Sequence, residues 1–282
     1  TRSNPDSEII DEAKRMGITI KFSYVVIAAK GYKKVKSAEI AKISEDKKEL
    51  GQIENVNCDC ICVSGFWTPT VHLASQSGNK TKFNKEIDAF VPSQSKQEET
   101  TVGSANGIFT LEETLKTSFE AGYRLSKKIT NKDNKVPVPQ VSEKTSTQHD
   151  KFWCVPLPKG KKYKRFLDFQ NDVAVSDIEL ALREGYRSIE HVKRYTTLGM
   201  ATDQGKTSNL NGLQLVSNIE NKIVPEVGHT TFRPPYTPVT IGAIVGREVG
   251  SHSKPTRKSP MHLWHEKNNA VFVDAGVWLR PR

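Results

Sequence analysis

Signals for three consecutive short helices, each with its own start or stop, constrain the fold of this chain more than any other feature. Ser176 and Glu179 have the spacing of a capping box, in which a hydroxyl and a carboxylate satisfy backbone N–H groups at a helix start. Gly185 supplies a left-handed stop, and Ser188 and Gly199 bound a second helix in the same way. Apolar residues at helical spacing predict the buried faces. They are Ile178, Ala181 and Leu182 in the first helix, Ile189, Val192 and Tyr195 in the second, and Leu210, Leu213, Val216 and Ile219 in the third.

A polar loop at residues 201–209 separates the second helix from the third. Helix starts carry partial positive charge, so a loop rich in hydroxyls and backbone N–H groups at such a start is a candidate site for a phosphate or a carboxylate. The alternative is a capped turn whose hydroxyls satisfy their own backbone, and spacing alone leaves both interpretations open. The candidate binding residues are Gln204, Gly205, Lys206, Thr207, Ser208 and Asn209.

The same stretch resembles the small helical module of the alpha subunit of heterotetrameric sarcosine oxidase. Three segments carry the resemblance almost without interruption: Phe169–Val173, Glu184–Thr197 and Gly199–Asn209. The resemblance covers nearly the full chain and is densest over residues 165–240.

The module is also similar to ferredoxin-like [2Fe–2S] modules of related amine and opine dehydrogenases. Those modules carry C-x-C before the first helix and C-x-x-x-x-C in the polar loop. The four cysteine positions correspond here to Asp168, Gln170, Asp203 and Ser208. Because iron–sulfur clusters are held mainly by thiolates, we expect a ferredoxin-like [2Fe–2S]-type helical module with no cluster and no other metal.

The first 130 residues predict a partial α/β domain. A helix is expected over residues 5–16, a hairpin over Ile18–Ala29 and Val35–Ile43, a charged turn over 44–51, and a buried strand over Asn57–Val63. Open α/β sheets bind ligands beyond the carboxyl ends of their strands, which would place Ser64 and Gly65 at such a site.

Two segments resemble the two-dinucleotide-binding flavoprotein fold. Cys58–Leu73 resembles its cofactor-facing strand and loop, and Val102–Phe109 its last cofactor-contacting turn. A helix follows, with a capping box at Thr110 and Glu113 and with Leu111, Leu115, Phe119, Gly122 and Leu125 on one face. The resemblance implies a partial NAD site, and the alternative is that its glycines are ordinary turn residues. The implied contacts are Ser64, Gly65, Gly103, Ala105, Asn106 and Gly107.

The glycine-rich fingerprint G-x-G-x-x-G, which grips the pyrophosphate in such folds, does not occur in the sequence. We therefore expect a fragment that begins inside the nucleotide-binding unit and binds a dinucleotide only weakly by itself.

Alternating cysteines occur at positions 58, 60 and 62, with a fourth at 154. The pattern favours small apolar residues on one face of a buried strand, with reduced thiols, and on such a strand the geometry is poor for a disulfide between near neighbours. A zinc site is less consistent with it, because zinc sites typically use C-x-x-C spacing on turns.

A net charge of +10 raises the question of nucleic-acid binding. The lysines are scattered and no nucleic-acid motif accompanies them, so a solvated basic surface or a face for an acidic partner subunit is expected. No apolar run is long enough for a membrane span and no signal-peptide pattern is present. We expect a cytoplasmic protein.

The remaining segments are predicted mainly from composition. Residues 131–164 are predicted to be a linker with one edge strand at Phe152–Val155. Residues 165–222 form the predicted helical module, and residues 223–256 are predicted to be an extended, proline-rich segment. Arg233 in that segment is either an anion contact or an exposed structural residue. Residues 257–282 resemble the opening of the aminomethyltransferase-type folate-binding domain, where His262 and His265 are expected to be structural.

The resemblance implies an oxidoreductase that demethylates sarcosine to glycine, transfers the one-carbon unit to tetrahydrofolate and produces hydrogen peroxide. In that family the alpha subunit carries NAD and the folate domain, and the beta subunit carries FAD and the oxidation chemistry. FMN lies at the contact between alpha and beta, and the partner subunits of alpha are beta, gamma and delta. No residue pattern indicates a catalytic base. Two alternatives remain: the alpha chain of a related amine, opine or dimethylglycine dehydrogenase, and a non-catalytic basic scaffold.

Overall fold

In the computed structural model, the described residues are 8–65, 67–142, 152–253 and 255–282. They divide into two units, residues 1–234 and 235–282, each described here by itself. The mixture of helices and strands predicted from the sequence is confirmed.

The first unit begins with a helix, α1 (Glu8–Arg15), and three strands, β1 (Tyr24–Gly31), β2 (Val35–Ile43) and β3 (Leu50–Asn57). The strands form an antiparallel sheet in chain order, with Tyr24 opposite Lys42 and Ser37 opposite Asn57. The bounds predicted for β2 are confirmed. The predicted helix start at Pro5 lies outside the described residues.

Two strand predictions in this region are wrong. The strand expected from Ile18 begins only at Tyr24, and the third strand is Leu50–Asn57 rather than Asn57–Val63. A tight turn, in which the Ser44 N–H donates to Glu49 O at 3.0 Å, starts the return strand several residues earlier than the apolar run suggests. The sheet is therefore antiparallel, and Ser64 and Gly65 do not follow a strand of an open parallel sheet.

A second group of elements packs small apolar residues together. It comprises α2 (His72–Gln76), the hairpin β4 (Thr81–Asn84) and β5 (Ala89–Pro92), a 3₁₀ turn (Gly103–Asn106) and α3 (Leu111–Thr130). The Oγ1 of Thr110 accepts the N–H of Glu113 at 3.4 Å, which confirms the predicted helix start. The predicted apolar face is only partly correct, because Leu111 and Leu125 are exposed and the buried residue of α3 is Ala121.

The linker contains no strand within its described residues, 131–142 and 152–164. The edge strand predicted at Phe152–Val155 is therefore wrong. That segment is held instead by Arg165, whose Nη1 donates to Cys154 Sγ at 3.2 Å.

The helical module surrounds one apolar core. It contains β6 (Phe166–Asp168), β7 (Val173–Ala174), α4 (Val175–Arg183), α5 (Ile189–Thr196), a 3₁₀ turn (Ala201–Asp203), α6 (Asn209–Glu220) and α7 (Val224–Val227). Ile178, Ala181 and Val192 are fully buried, as the helical spacing predicted. Phe83 and Phe90 of the β4–β5 hairpin pack against this core, which joins the module to the preceding segment.

The capping box predicted at Ser176 and Glu179 is wrong. Strand β7 runs directly into α4, so the helix begins two residues earlier, and the Asp177 carboxylate accepts the Ala174 N–H at 2.8 Å. Glu179 instead faces Arg165, with Arg165 Nη2 3.5 Å from its Oε1. The predicted stop at Gly185 is confirmed by its positive φ of 97°.

Some predicted core positions lie at the rim. Tyr195 is exposed and stacks on Tyr186 with ring centroids 4.7 Å apart, and Ile219 is exposed at the end of α6. The proline-rich segment also contains a helical turn, α7, with Pro225 in its first turn, where a missing N–H costs no hydrogen bond.

The second unit contains α8 (Ile241–Val245), a 3₁₀ segment (Arg247–Ser253), β8 (Arg257–Lys258), α9 (His262–Lys267), β9 (Phe272–Ala275) and β10 (Trp278–Pro281). The sheet order is β8–β10–β9. His262 is buried and its ring centroid lies 4.6 Å from that of Phe272. Among the described residues, no helix is long and apolar enough to cross a membrane.

Candidate functional site

A buried carboxylate, Asp168, connects the segments around the polar loop. It is 2% exposed. Its Oδ1 accepts the N–H groups of Gln170 (2.9 Å) and Asn171 (3.1 Å). Its Oδ2 accepts the Gly199 N–H (2.8 Å), Asn171 Nδ2 (3.2 Å) and Ser208 Oγ (3.3 Å). The Asp168 side chain therefore joins the turn after β6 to Gly199, just before the loop, and to Ser208 near the end of the loop.

A second set of hydrogen bonds runs parallel to the first. Gln170 Oε1 accepts the Asp203 N–H at 3.2 Å, and Gln170 Nε2 donates to Thr202 Oγ1 at 3.2 Å. The four positions aligned with cluster cysteines thus meet as two bonded pairs, Asp168 with Ser208 and Gln170 with Asp203. These residues do not fit an iron–sulfur cluster, because they offer no thiolate and bond to one another. Among the described residues, no group of three His, Cys, Asp or Glu side chains has metal-binding geometry.

The environment of Asp168 favours its charged form. Burial by itself would raise the pKa, but the hydrogen bonds from Gly199, Asn171 and Gln170 outweigh it and lower the pKa below its ordinary value. Asp168 is therefore a structural anion that holds the loop in place at neutral pH.

The loop itself is tightly packed around Asn209. Gln204 and Gly205 have φ of 52° and 73°, and Asn209 Nδ2 donates to Gln204 O at 2.8 Å. A Cβ added at Gly199 or Gly205 would lie 2.2 or 2.0 Å from Asn209 Oδ1, so both positions require glycine. The loop is a fixed structure at the start of α6.

The loop forms one wall of a cavity of about 70 Å³. The second wall comes from the segment around α2, the third from the β4–β5 hairpin, and the fourth from residues 229–232. Both polar and apolar residues line it. The polar lining residues are Thr68, Ser75, Thr81, Lys206, Asn209, His229 and Thr230, and the apolar ones include Pro69, Val71, Phe90, Leu210, Leu213 and Phe232.

Buried polar atoms at this cavity lack protein partners. Thr81 Oγ1 and Asn209 Oδ1 are both buried without a hydrogen bond. A buried polar group without a partner is destabilising, so these atoms indicate that the cavity holds water or a polar ligand. The volume suits a phosphate or a carboxylate group.

The Lys206 ammonium group lies beside the same cavity. The pKa of His72 is lowered by burial and additionally by the nearby charge of Lys206. His229 lies against Phe90, with ring centroids 5.5 Å apart. A cation, hydroxyls and the start of the 12-residue helix α6 together favour an anionic ligand group.

The structure brings together only part of the predicted loop set at the cavity. Gly205, Lys206 and Asn209 line it, and Thr207 is exposed outside it. Ser208 is fully buried against Asp168. The Gln204 side chain exchanges two hydrogen bonds with the backbone of Arg233, at 2.8 and 2.9 Å. The extended segment therefore reaches the loop through this backbone contact.

Sequence reasoning missed the opposite walls of the cavity. Thr81, Phe90, His229 and Thr230 come from segments with no recognisable motif, and the β4–β5 hairpin was not predicted. The run Thr230–Thr231–Phe232, which Arg233 separates from two prolines, was the sequence pattern that could have indicated this wall.

The residues predicted to contact NAD lie elsewhere. Ser64 and Gly65 are exposed, and Gly103, Ala105 and Asn106 form the 3₁₀ turn before α3. Gly107 has φ of 81°, and a Cβ there would lie 2.6 Å from Ile87 Cδ1, so packing alone accounts for this glycine. The NAD contacts remain a prediction.

A known family model matches part of the chain. Residues 162–247, which include the polar loop, match the family model of the sarcosine oxidase A3 domain. This part of the chain is similar to the A3 domain family.

The similarity then extends over most of the chain. It is 38% identical over 257 residues to sarcosine oxidase subunit alpha from Rhizobium meliloti (strain 1021), covering 91% of this chain and 25% of the relative. It is 36% identical over 248 residues to sarcosine oxidase subunit alpha from Corynebacterium sp. (strain P-1), covering 86% and 25%. The chain is thus a relative of sarcosine oxidase alpha subunits and spans about a quarter of their length.

A solved structure was also matched. L-proline dehydrogenase from P. horikoshii has a TM-score of 0.48 and 19% identity, over 85% of this chain and 48% of that one.

Proposed function

We propose that this chain is part of the alpha subunit of a sarcosine oxidase. The observation that carries the proposal is the 34–38% identity to three proteins of that name over about nine tenths of the chain. The proposed reaction is the oxidative demethylation of sarcosine to glycine, with transfer of the one-carbon unit to tetrahydrofolate and production of hydrogen peroxide. The proposed partners are the beta, gamma and delta subunits of the same enzyme.

Within that enzyme, the role proposed for the polar loop is to bind the phosphate of FMN at the contact with the beta subunit. The residues present fit such a group. Lys206 supplies positive charge, the N-terminus of α6 supplies partial positive charge, and Thr81 supplies a buried hydroxyl without a partner. The cavity accommodates a phosphate, and the flavin ring is proposed to lie outside it.

The bound flavin would supply the redox chemistry, and the protein groups would bind and position it. Lys206 would hold the phosphate by charge-assisted hydrogen bonds, and Thr81 would donate its hydroxyl to a phosphate oxygen. Asn209 presents an acceptor rather than a donor, so its proposed role is to keep Gly205 in its left-handed conformation. Asp168 would hold the loop in position through its hydrogen bonds from Gly199 and Ser208.

The remaining cofactor assignments rest on the family resemblance. NAD is proposed to bind near Ser64, Gly65 and the turn Gly103–Gly107, with its main contacts outside this chain. The helical module is proposed to be a ferredoxin-like module without a cluster, and residues 257–282 to open a folate-binding domain. A cytoplasmic location is proposed on the same basis.

A substrate comparison tests the proposed activity. The full-length alpha subunit, co-expressed with its partner subunits, should oxidise sarcosine at least about tenfold more efficiently in kcat/KM than dimethylglycine or proline, with one peroxide formed per amine. The measurement is oxygen uptake together with peroxide release. Preferential oxidation of dimethylglycine or proline would assign the chain to a related dehydrogenase, and no amine-dependent turnover at all would favour the scaffold.

A further inference from the structure

Three cysteines lie on a segment that leaves the sheet. The Cys58 N–H donates to Lys36 O at 3.1 Å, a bend follows at Asp59, and the next residues belong to no helix or strand. Cys60 and Cys62 are exposed, whereas Ile61 between them is partly buried. The expectation of a buried strand is therefore wrong, because β3 ends before the cysteines and no neighbouring strand covers them within the described residues.

The sulfurs of Cys60 and Cys62 face each other. Their Sγ atoms are 3.9 Å apart, and both thiols are free. A disulfide requires about 2 Å between the sulfurs, so the atoms must approach by roughly another 2 Å. Since no ladder hydrogen bonds fix this part of the chain, rotation about its backbone and side-chain torsions can supply that movement.

We propose that Cys60 and Cys62 are a redox-active pair that closes into a reversible disulfide when a peroxide oxidises them. A thiolate of the pair attacks hydrogen peroxide, the O–O bond breaks, and a sulfenic acid and hydroxide form. The second thiolate then attacks the sulfenic sulfur, the S–O bond breaks, and hydroxide leaves and is protonated to water. Two thiols and one peroxide thus give one disulfide and two waters.

The two other cysteines are poorer candidates. Cys58 lies at the end of the sheet, where its backbone is held by Lys36. Cys154 is partly buried, and its sulfur accepts a hydrogen bond from Arg165 Nη1. The hydrogen bond with Cys62 raises the pKa of Cys60, so the oxidation should become faster with increasing pH as the thiolate fraction grows.

The experiment treats the 282-residue chain with a small excess of hydrogen peroxide and counts thiols by alkylation and intact mass. The intact mass should fall by about 2 Da, two of the four thiols should be protected, and dithiothreitol should restore them. Peptide mapping should locate the bridge between Cys60 and Cys62. The peroxide is added, so the outcome is independent of whether the proposed oxidase reaction is correct.

Single variants distinguish the pair of Cys60 and Cys62 from a pair that includes Cys58. Cys58→Ser should still form the bridge, whereas Cys60→Ser and Cys62→Ser should lose it. A bridge that persists in Cys62→Ser would assign the pair to Cys58 and Cys60 and overturn the proposal. Four alkylatable thiols after peroxide treatment, or sulfinic acid that dithiothreitol does not reverse, would overturn it as well.

Discussion

Replacing Asp168 by Asn should lower the free energy of unfolding by about 2 to 3 kcal/mol. The substitution keeps the shape of the side chain, but its NH₂ group would meet N–H donors that now point at a carboxylate oxygen. The donors from Gly199, Asn171 and Ser208 converge on Oδ2, and the bonds from Gly199 and Ser208 are buried. Urea unfolding of the chain, followed by its helical circular dichroism, measures the loss.

Asp172→Asn is the matched control. Asp172 is exposed and has φ of 54°, a conformation that Asn tolerates, so this variant removes the same charge and should change stability by less than about 0.5 kcal/mol. Equal effects of the two variants would contradict the assigned role of Asp168.

The Asp168 carboxylate also makes the stability difference between wild type and Asp168→Asn depend on pH in a defined direction. Because the folded-state pKa of Asp168 is lowered, its stabilisation is present above the unfolded-state pKa and is lost as the pH falls through the folded-state value. The gap between wild type and Asp168→Asn should therefore be constant near neutrality and shrink below about pH 4. A gap that widens on acidification would contradict this sign.

Replacing Lys206 by Met should weaken FMN retention by the assembled enzyme about tenfold or more. Charge-assisted hydrogen bonds to a phosphate contribute roughly 1.5 to 3 kcal/mol, and about 1.4 kcal/mol corresponds to a factor of ten. FAD content should not change, since FAD is proposed to lie in the beta subunit. Chromatographic quantification of both flavins gives the ratio directly.

Lys222→Met is the control for this change. Lys222 pairs with Glu220 on the surface of the same module and does not line the cavity, so its loss removes one charge without touching the site. It should leave both flavins unchanged. Unaltered FMN occupancy in Lys206→Met would show that the loop only caps α6.

The helical module could be predicted because its signals are local. The burial of Ile178, Ala181 and Val192 follows from spacing within single helices, and Gly185 and Ser188 act within one turn of their own positions. The start of α4 could not be predicted, because the strand β7 that precedes it is only two residues long and is held by pairing with β6.

The sheet was less predictable, for a physical reason. An alternating apolar pattern indicates which residues share a face, but the turn at Ser44–Glu49 decides where the third strand starts. The apolar run at positions 58–63 was therefore assigned to a strand that ends before it.

The candidate site was predictable on one wall only. The composition of the loop indicated an anion site, and Lys206 and Gly205 do line a cavity. Thr81 and His229 lie 125 and 23 residues from Lys206 in the sequence, in segments that carry no motif. Only the packing of the β4–β5 hairpin against the module core brings them to the cavity. The role of Asp168 as a hydrogen-bond centre likewise depends on long-range contacts.

In our proposal, hydrogen bonds between Asp168, Gln170, Asp203 and Ser208 take the place of a cluster, and the adjoining cavity takes a flavin phosphate. Its most direct test is the content of iron, acid-labile sulfide, FMN and FAD in one sample of the purified assembled enzyme, after complete proteolysis so that covalently held flavin is counted. We expect FMN in a one-to-one ratio with FAD, and iron and sulfide at background. Stoichiometric iron with sulfide, or FAD without FMN, would contradict it.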